Sequence, residues 1–283
     1  MSPRGLRLSK LHGAGNHFLV TVAADERAPD AGVASRLCDR HRGVGADGLI
    51  TLLPGRDGAD CAMELRNADG GVAEMSGNGI GCLAWVAVRE GLGDGKRLLV
   101  DTGGGRREVE LDIDPTTGEV TGATVDMGSV TFDPAEIPLD APTALDLEVT
   151  FHGVTYHGDA AGIGNPHLVL LVDDPETTRV TQHGPHLETD PRFPHRTNVE
   201  FIAVTGNDEL TMRVWERGVG ETLSCGTGVC ASAAVAHRRG LVGEHVTVHV
   251  RGGTHDVDLS ETVRLHGPVT HVFDTEVSEV NIT

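Results

Sequence analysis

Ser76-Gly-Asn-Gly-Ile80 returns 149 residues later as Cys225-Gly-Thr-Gly-Val229. The match continues at the same offset. Downstream, Ala84 meets Ala233, Val86-Ala87 meets Val235-Ala236, Arg89 meets Arg238, and Gly91-Leu92 meets Gly240-Leu241. Upstream, Met63 meets Met212, Asn67 meets Glu216, Gly71 meets Gly220, and Leu19-Val20 meets Leu168-Val169; Gly13-Ala-Gly-Asn16 meets Gly162-Ile-Gly-Asn165. In a chain with 38 glycines, isolated glycine matches are expected. Three separated motifs at one offset are not, and the chain reads as two copies of one folding unit. Ser76 and Cys225 then occupy equivalent positions of a shared active site.

Each copy has the same order of elements. A strand follows the G-x-G-N turn (Phe18–Ala23 and His167–Val172), and another precedes the glycine loop (Cys61–Arg66 and Leu210–Trp215). A helix rich in Ala and Val follows (Ile80–Glu90 and Val229–Arg239) and ends in Arg-x-Gly-Leu, with a basic last turn and a glycine to stop it. Arg97–Thr102, Arg107–Asp112 and His245–Val250 alternate with the period of strands. The expected class is α+β: two pseudo-symmetric domains, each a curved, mostly antiparallel sheet or barrel around one central helix. The domains are expected at 1–128, joined by the C-terminal strand 271–283, and at 129–270, with the linker in the Pro-rich span Phe132–Pro142.

Composition narrows the function. The 283 residues carry a net charge of −19 and only 3% aromatics. No basic run or stacking cluster serves a phosphate backbone, so nucleic acid is not an expected partner. No stretch approaches the ~20 apolar residues of a membrane helix. Met1 to Lys10 has no apolar leader core. A cytoplasmic protein without membrane contact is expected. Five sparse cysteines in a chain this long are no disulfide scaffold.

The chemistry gathers at the two glycine loops. A Gly-x-Gly loop opening a helix presents unpaired backbone N–H groups and the positive end of the helix dipole, a ready anion site. Two such loops converging across a domain interface suit one small carboxylate. The same terminus lowers a thiol from its usual ~8.5, so Cys225 is expected as an available thiolate, nucleophile or base. A partner histidine is the usual companion, and His167 in Gly164-Asn-Pro-His167 is the candidate. Cys225 and Cys230 lack C-x-x-C spacing, so no metal is expected. Cys82 and Cys230 fall on apolar helices and read as small core residues; Cys38 and Cys61 read as packing. His12 and His17 read as local hydrogen-bonders. Asn16, Asn67, Asn165 and Asn198 lie in turn-like contexts, where asparagine is common anyway; the repeat lifts Asn16 and Asn165 above that. Glu216 and Arg217, just before a glycine loop, read either as site residues or as a surface ion pair.

At these motifs the chain resembles the diaminopimelate epimerase family. The resemblance runs through Lys10-Leu-His-Gly-Ala-Gly-Asn16, Arg40-His-Arg-Gly-Val-Gly-Ala-Asp-Gly48, Arg66-Asn-Ala-Asp-Gly70 and Met75-Ser-Gly-Asn-Gly79. It continues through Gly164-Asn-Pro-His167, Thr197-Asn-Val-Glu200, Trp215-Glu-Arg-Gly218 and Gly220-Glu-Thr-Leu-Ser-Cys-Gly-Thr-Gly228. It implies a cofactor-free, PLP-independent homodimer acting on a small amino acid. Such an enzyme interconverts LL- and meso-diaminopimelate, in lysine and peptidoglycan-precursor biosynthesis, with one acid-base group on each face of the α-carbon. On that likeness Cys225, Ser76, Glu216 and His167 are catalytic. Asn16, Asn67, Gly77, Asn78, Asn165, Asn198, Glu216, Arg217, Gly226 and Thr227 bind substrate, with Arg217 suited to a distal carboxylate.

Ser76 stands where the family has its first cysteine. A hydroxyl near water's ~15.7 lies roughly 7 units above a thiol, a gap of ~10 kcal/mol, and a helix dipole returns at most ~2. Ser76 is expected to donate or relay a proton, not to act as an unaided base. Two other readings stay open: an epimerase or racemase of another amino acid, or a non-catalytic amino-acid-binding paralogue.

Overall fold

The computed structural model describes residues 5–23 and 27–278. The last residues of the expected return strand 271–283, from 279 on, lie outside the described residues, as do the first four of the chain.

The chain divides into two compact units, one of residues up to Asp126 and from Gly267 onward, the other Met127–His266. The first series of elements is β1 (Leu6–Gly13), β2 (Asn16–Val22), α1 (Ala31–Cys38), β3 (Gly48–Pro54), β4 (Cys61–Asn67), β5 (Val72–Ala73), α2 (Gly77–Arg89), β6 (Arg97–Thr102), β7 (Gly105–Ile113) and β8 (Val120–Gly128). The second is β9 (Leu147–Phe151), β10 (Val154–Gly162), β11 (Pro166–Leu171), α3 (Val180–Glu188), β12 (Asn198–Gly206), β13 (Glu209–Glu216), β14 (Gly220–Thr222), α4 (Gly226–Arg238), β15 (His245–Val250), β16 (Gly253–Asp258) and β17 (Val263–Pro268). The last strand of the described residues is β18 (Thr270–Val277), which pairs antiparallel with β1 of the first unit.

The fold is α+β and repeats as the sequence does. Helices α2 and α4 are both 13 residues long, and both ends keep the 149-residue offset. In each unit most strand pairs are antiparallel. The exceptions also repeat: β2 runs parallel to β3 and β4 to β6, as β11 does to β12 and β13 to β15. Helix α2 packs on β1, β2, β3, β4 and β7; α4 packs on β10 to β13, β15 and β16. Surrounded this way, a helix must be apolar on every face. Ile80, Cys82, Leu83, Ala84, Val86 and Ala87 in α2, and Val229, Cys230, Ala231, Ala233, Val235 and Ala236 in α4, are buried.

Both helices stop at the expected glycine. Gly91 and Gly240 adopt φ of 82° and 69°, which a side chain resists. Gly91 N–H reaches Val88 O and Leu92 N–H reaches Ala87 O; Gly240 and Leu241 repeat the pattern on His237 O and Ala236 O. This double bond satisfies carbonyls that the helix leaves orphaned.

Three expectations need correction. The central helices begin at Gly77 and Gly226 instead of Ile80 and Val229, so the glycine loop is itself the first helical turn. A further helix pair, α1 and α3, also starts 149 residues apart. Its amphipathic pattern is short and, in α3, broken by Pro185. Finally, Phe132–Pro142 is no linker between units. Ile137 and Leu139 are buried in the core of the second unit with Leu168, Leu170, Val199 and Phe201. Proline there shapes a packed segment.

Candidate active site

In the first unit, Ser76 is the N-cap of α2. Its extended backbone (φ −144°, ψ 123°) turns the side chain back over the helix, and Oγ accepts the Gly79 N–H at 3.1 Å. The Ser76 carbonyl receives the Ile80 N–H at 2.9 Å. The hydroxyl proton of Ser76 has no acceptor among the described residues. Beside it, buried Asn78 donates to Asn16 Oδ1 at 3.5 Å, and Asn16 donates to Asp47 Oδ2 at 3.0 Å. Asp47 also takes the His17 N–H at 2.7 Å and the Arg40 guanidinium at 2.6 Å. Burial, and then the neighbouring His12 ring, hold His17 below the usual imidazole range, so it is neutral. Asn67 ends β4, and its carbonyl accepts the Gly70 N–H.

In the second unit, Cys225 caps α4 with the same extended backbone (φ −131°, ψ 110°), and its carbonyl takes the Val229 N–H at 2.9 Å. No side-chain cap bond closes here. The sulfur instead meets Thr227 Oγ1 at 3.4 Å. Asn165 Nδ2 donates to that oxygen at 3.3 Å, Asn165 Oδ1 lies 2.9 Å from His167 Nε2, and His167 Nδ1 lies 2.7 Å from Glu200 Oε1. His167 therefore makes no hydrogen bond to Cys225 among the described residues; Asn165 and Thr227 link the two. Behind the cap, Ser224 Oγ lies 2.9 Å from His255 Nε2. Burial pushes His255 down to about 4, so it is neutral.

The expected low thiol is overturned. Cys225 is pushed well above the usual thiol range, first by burial, then by the charges of Glu216 and Glu200. Thr227 and the Gly228 N–H pull the other way and are outweighed. A helix terminus contributes up to about 2 kcal/mol; removing a charge from water costs more. The resting group is a thiol, the proton-donating form.

Glu216, at the end of β13, accepts the Thr222 hydroxyl. Arg217 is half-buried, and its guanidinium reaches only the His195 carbonyl, at 3.3 Å, with no carboxylate on it among the described residues. The pair is not a surface ion pair with each other. Asn198 bridges two segments: Nδ2 donates to Pro166 O at 3.0 Å and Oδ1 accepts the Arg217 N–H at 2.9 Å. Glu188 braces the same turn by accepting Trp215 Nε1 at 2.8 Å and the Gly218 N–H at 2.9 Å. The N–H groups of Gly77, Gly226 and Thr227 sit in first helical turns, where no carbonyl of their own helix can take them.

The motif Thr197-Asn-Val-Glu200 does not by itself assign Glu200 a role, although a glutamate in an otherwise apolar strand is itself a signal. A cavity of about 750 Å³ opens at the other end of α2, lined by Arg7, Ser9, Thr21, Val86, Arg89 and Asp274 among others, and reaches neither Ser76 nor Asn78.

Residues 8–132 and 160–272 match the family model described as diaminopimelate epimerase. The chain belongs to the diaminopimelate epimerase family. It is 41% identical over 271 residues to the diaminopimelate epimerase of Moorella thermoacetica, covering 93% of this chain and 96% of that one. It is 40% identical over 278 residues to the diaminopimelate epimerase of Pelotomaculum thermopropionicum, covering 96% and 98%. Among solved structures, a hydroxyproline epimerase from Agrobacterium vitis superposes with a TM-score of 0.73, at 17% identity, over 98% of this chain and 93% of that one. At that identity the likeness is one of fold. The diaminopimelate epimerase family is an isomerase family. Among the described residues no helix is long and apolar enough to cross a membrane.

Proposed function

We propose that this chain is an isomerase that interconverts LL- and meso-diaminopimelate by moving the α-proton. The observation that carries the reading is family membership over nearly the whole length, with a thiol at one of two equivalent helix N-termini. Inverting a carbon needs one group to remove the proton and another to deliver one to the opposite face. In this reading Cys225 is the competent acid-base group and Ser76 its counterpart, a hydroxyl with an uncommitted proton. The first-turn N–H groups at Gly77, Asn78, Gly226 and Thr227 meet the α-carboxylate, where fixed dipoles stabilise developing carbanion charge. Asn16, Asn67, Asn165 and Asn198 are assigned to substrate, and Glu216 and His167 tune the reacting centre. Protein groups alone move the proton, without pyridoxal phosphate. A reducing, cytoplasmic compartment keeps Cys225 a thiol.

The test is incubation with LL- and meso-diaminopimelate in deuterated water. Deuterium at the α-carbon with inversion is expected. Exchange from one isomer without inversion would leave Cys225 working and Ser76 idle. Binding of both isomers without exchange would sink the enzyme reading in favour of a binding paralogue.

Arg217, held by its backbone and free of carboxylates, suits the distal carboxylate as a two-pronged donor. Arg217→Lys keeps the charge and loses the fork. It should raise KM at least ~10-fold and leave kcat within about threefold. Steady-state kinetics check this, and a kcat effect with unchanged KM would remove Arg217 from substrate binding.

We further propose a homodimer. Strand β18 pairs only with β1 among the described residues and carries exposed Val272 and Phe273, an edge that invites a second strand. Sedimentation equilibrium should return twice the 29.8 kDa of the chain.

A further inference from the structure

His167 and Glu200 lie on adjacent parallel strands, β11 and β12, and both are fully buried. With Cys225 as thiolate, the direction of every bond between them and its sulfur follows from donor and acceptor chemistry. Asn165 spends its amide N–H on Thr227, so its oxygen must receive a proton from His167 Nε2. Thr227 Oγ1 takes the Asn165 N–H on one lone pair and keeps its own O–H, and once Cys225 is ionised the sulfur can only accept, so that O–H points at it. His167 Nδ1 then faces a carboxyl oxygen at 2.7 Å, and a bond there needs one more proton. The pair is imidazolium with carboxylate, or imidazole with carboxylic acid. Its net charge is zero in either form, so the Glu200 carboxylate, which by itself opposes the thiolate, is offset by the proton the pair holds. Three donors in succession thus run from the pair to Cys225 Sγ.

The repeat supplies an internal control. Phe18 takes the place of His167, since Phe18 pairs with Gly48 as His167 pairs with Asn198. Two residues along the partner strand, Ile50 takes the place of Glu200. Ile50 Cδ1 lies 3.1 Å from where a Cβ on Gly79 would stand, and Glu200 Oε1 lies 2.6 Å from the same point on Gly228. The half with serine fills these positions with two apolar side chains; the half with the thiol fills them with an ionisable pair. Packing does not require the pair, and burying it is costly: Glu200 Oε2 has no hydrogen-bond partner among the described residues. The donors of the first half run the other way, from Asn78 through Asn16 to Asp47, away from the helix N-terminus.

We propose that Glu200 is a positioning residue for Cys225: it keeps a proton on His167 Nε2, which fixes the chain through Asn165 and Thr227 so that its last O–H donates to the sulfur and holds the thiolate formed when the α-proton is exchanged. This rests on the reading of Cys225 as the group that exchanges that proton. The other ionisable groups around the sulfur are Glu216, which opposes the thiolate, and His255, neutral behind Ser224.

The test is peptide-resolved alkylation of Cys225 by iodoacetamide across pH, in the full chain and without substrate, for wild type, Glu200→Gln, Thr227→Val and the double variant. Glutamine cannot share a proton with the ring: with its oxygen on Nδ1 it strips a neutral His167 of Nε2–H, and with its NH2 on Nδ1 it leaves the ring uncharged. An unchanged rate would show that a neutral amide does all that Glu200 does, and overturns the proposal. Alkylation at pH 8 should slow about tenfold, with the midpoint about one unit higher. In the Thr227→Val background, Glu200→Gln should change the rate less than twofold. A bare Glu200 anion would give the opposite sign, with faster alkylation and a lower midpoint, and that result overturns the proposal. An equal effect with and without Thr227 overturns it too. His167→Phe with Glu200→Ile copies the apolar pair of the first unit; it should fold, by circular dichroism, and slow alkylation as Glu200→Gln does, so it carries the test if the single variant does not fold. If alkylation responds as expected while wild type exchanges no α-proton, the positioning role stands and the functional reading falls.

Discussion

Replacing Cys225 by serine should cut α-proton exchange from both isomers of diaminopimelate at least ~10³-fold, with the fold and substrate binding retained. The acidity gap between a thiol and a hydroxyl, roughly 7 units or ~10 kcal/mol, sets the scale. The surroundings of Cys225 already oppose the anion through burial and the charge of Glu216. What favours it is small: one Thr227 hydroxyl at 3.4 Å, the Gly228 N–H and the helix terminus. A hydroxyl placed there starts much higher and gains the same modest help, so no accessible pH supplies its anion. The fold should not notice. Ser76 already caps the equivalent helix, and serine is the better N-cap. Deuterium incorporation followed by NMR measures the loss, and circular dichroism with ligand titration checks the rest. Exchange within tenfold of wild type would mean that the thiol is not the group that moves the proton.

The parts of this molecule legible in its sequence are those written locally. The offset between Ser76 and Cys225 carried the duplication, and Arg-x-Gly-Leu placed both helix ends because a glycine at positive φ is a local requirement. Cys225 and Ser76 as caps were legible for the same reason. The pairing of His167 with Glu200 was not. It arises because β11 and β12 run parallel and in register, so residues 33 apart in sequence meet. Nor was the state of Cys225, since a helix terminus is visible in a glycine motif whereas burial and the approach of two carboxylates are properties of the packed unit. The misplaced linker has the same origin: prolines in Phe132–Pro142 mark a turn-rich path, but only packing decides that Ile137 and Leu139 are core. The information for Glu200 did exist locally, in the contrast between the halves. Ile50 against Glu200, and Phe18 against His167, are the positions where two copies of one fold stopped being equivalent.

Ser76→Cys should raise epimerisation at least ~10²-fold, within the range by which a well-matched acid or base contributes. The wild-type reaction needs a proton moved at each face, and the two groups available are unequal. Ser76 Oγ is committed as acceptor to the Gly79 N–H, which stabilises α2 by about 1 kcal/mol. That bond leaves its O–H as a donor but makes the oxygen a poor base. A thiol at the same cap keeps the helix terminus and first-turn N–H groups around it. It is also less buried, since Ser76 is only half-buried whereas Cys225 is buried. Its thiolate should therefore be easier to form than that of Cys225. The variant loses part of the cap and should melt slightly lower, so rate and stability move in opposite directions. The gain should be lopsided: exchange from the isomer whose α-proton Ser76 must remove should rise most, and exchange through Cys225 should stay within a few-fold. Deuterium exchange from each isomer separates the two directions. A uniform change in both, or none, would mean that Ser76 is not the limiting partner and that the serine has a role of its own.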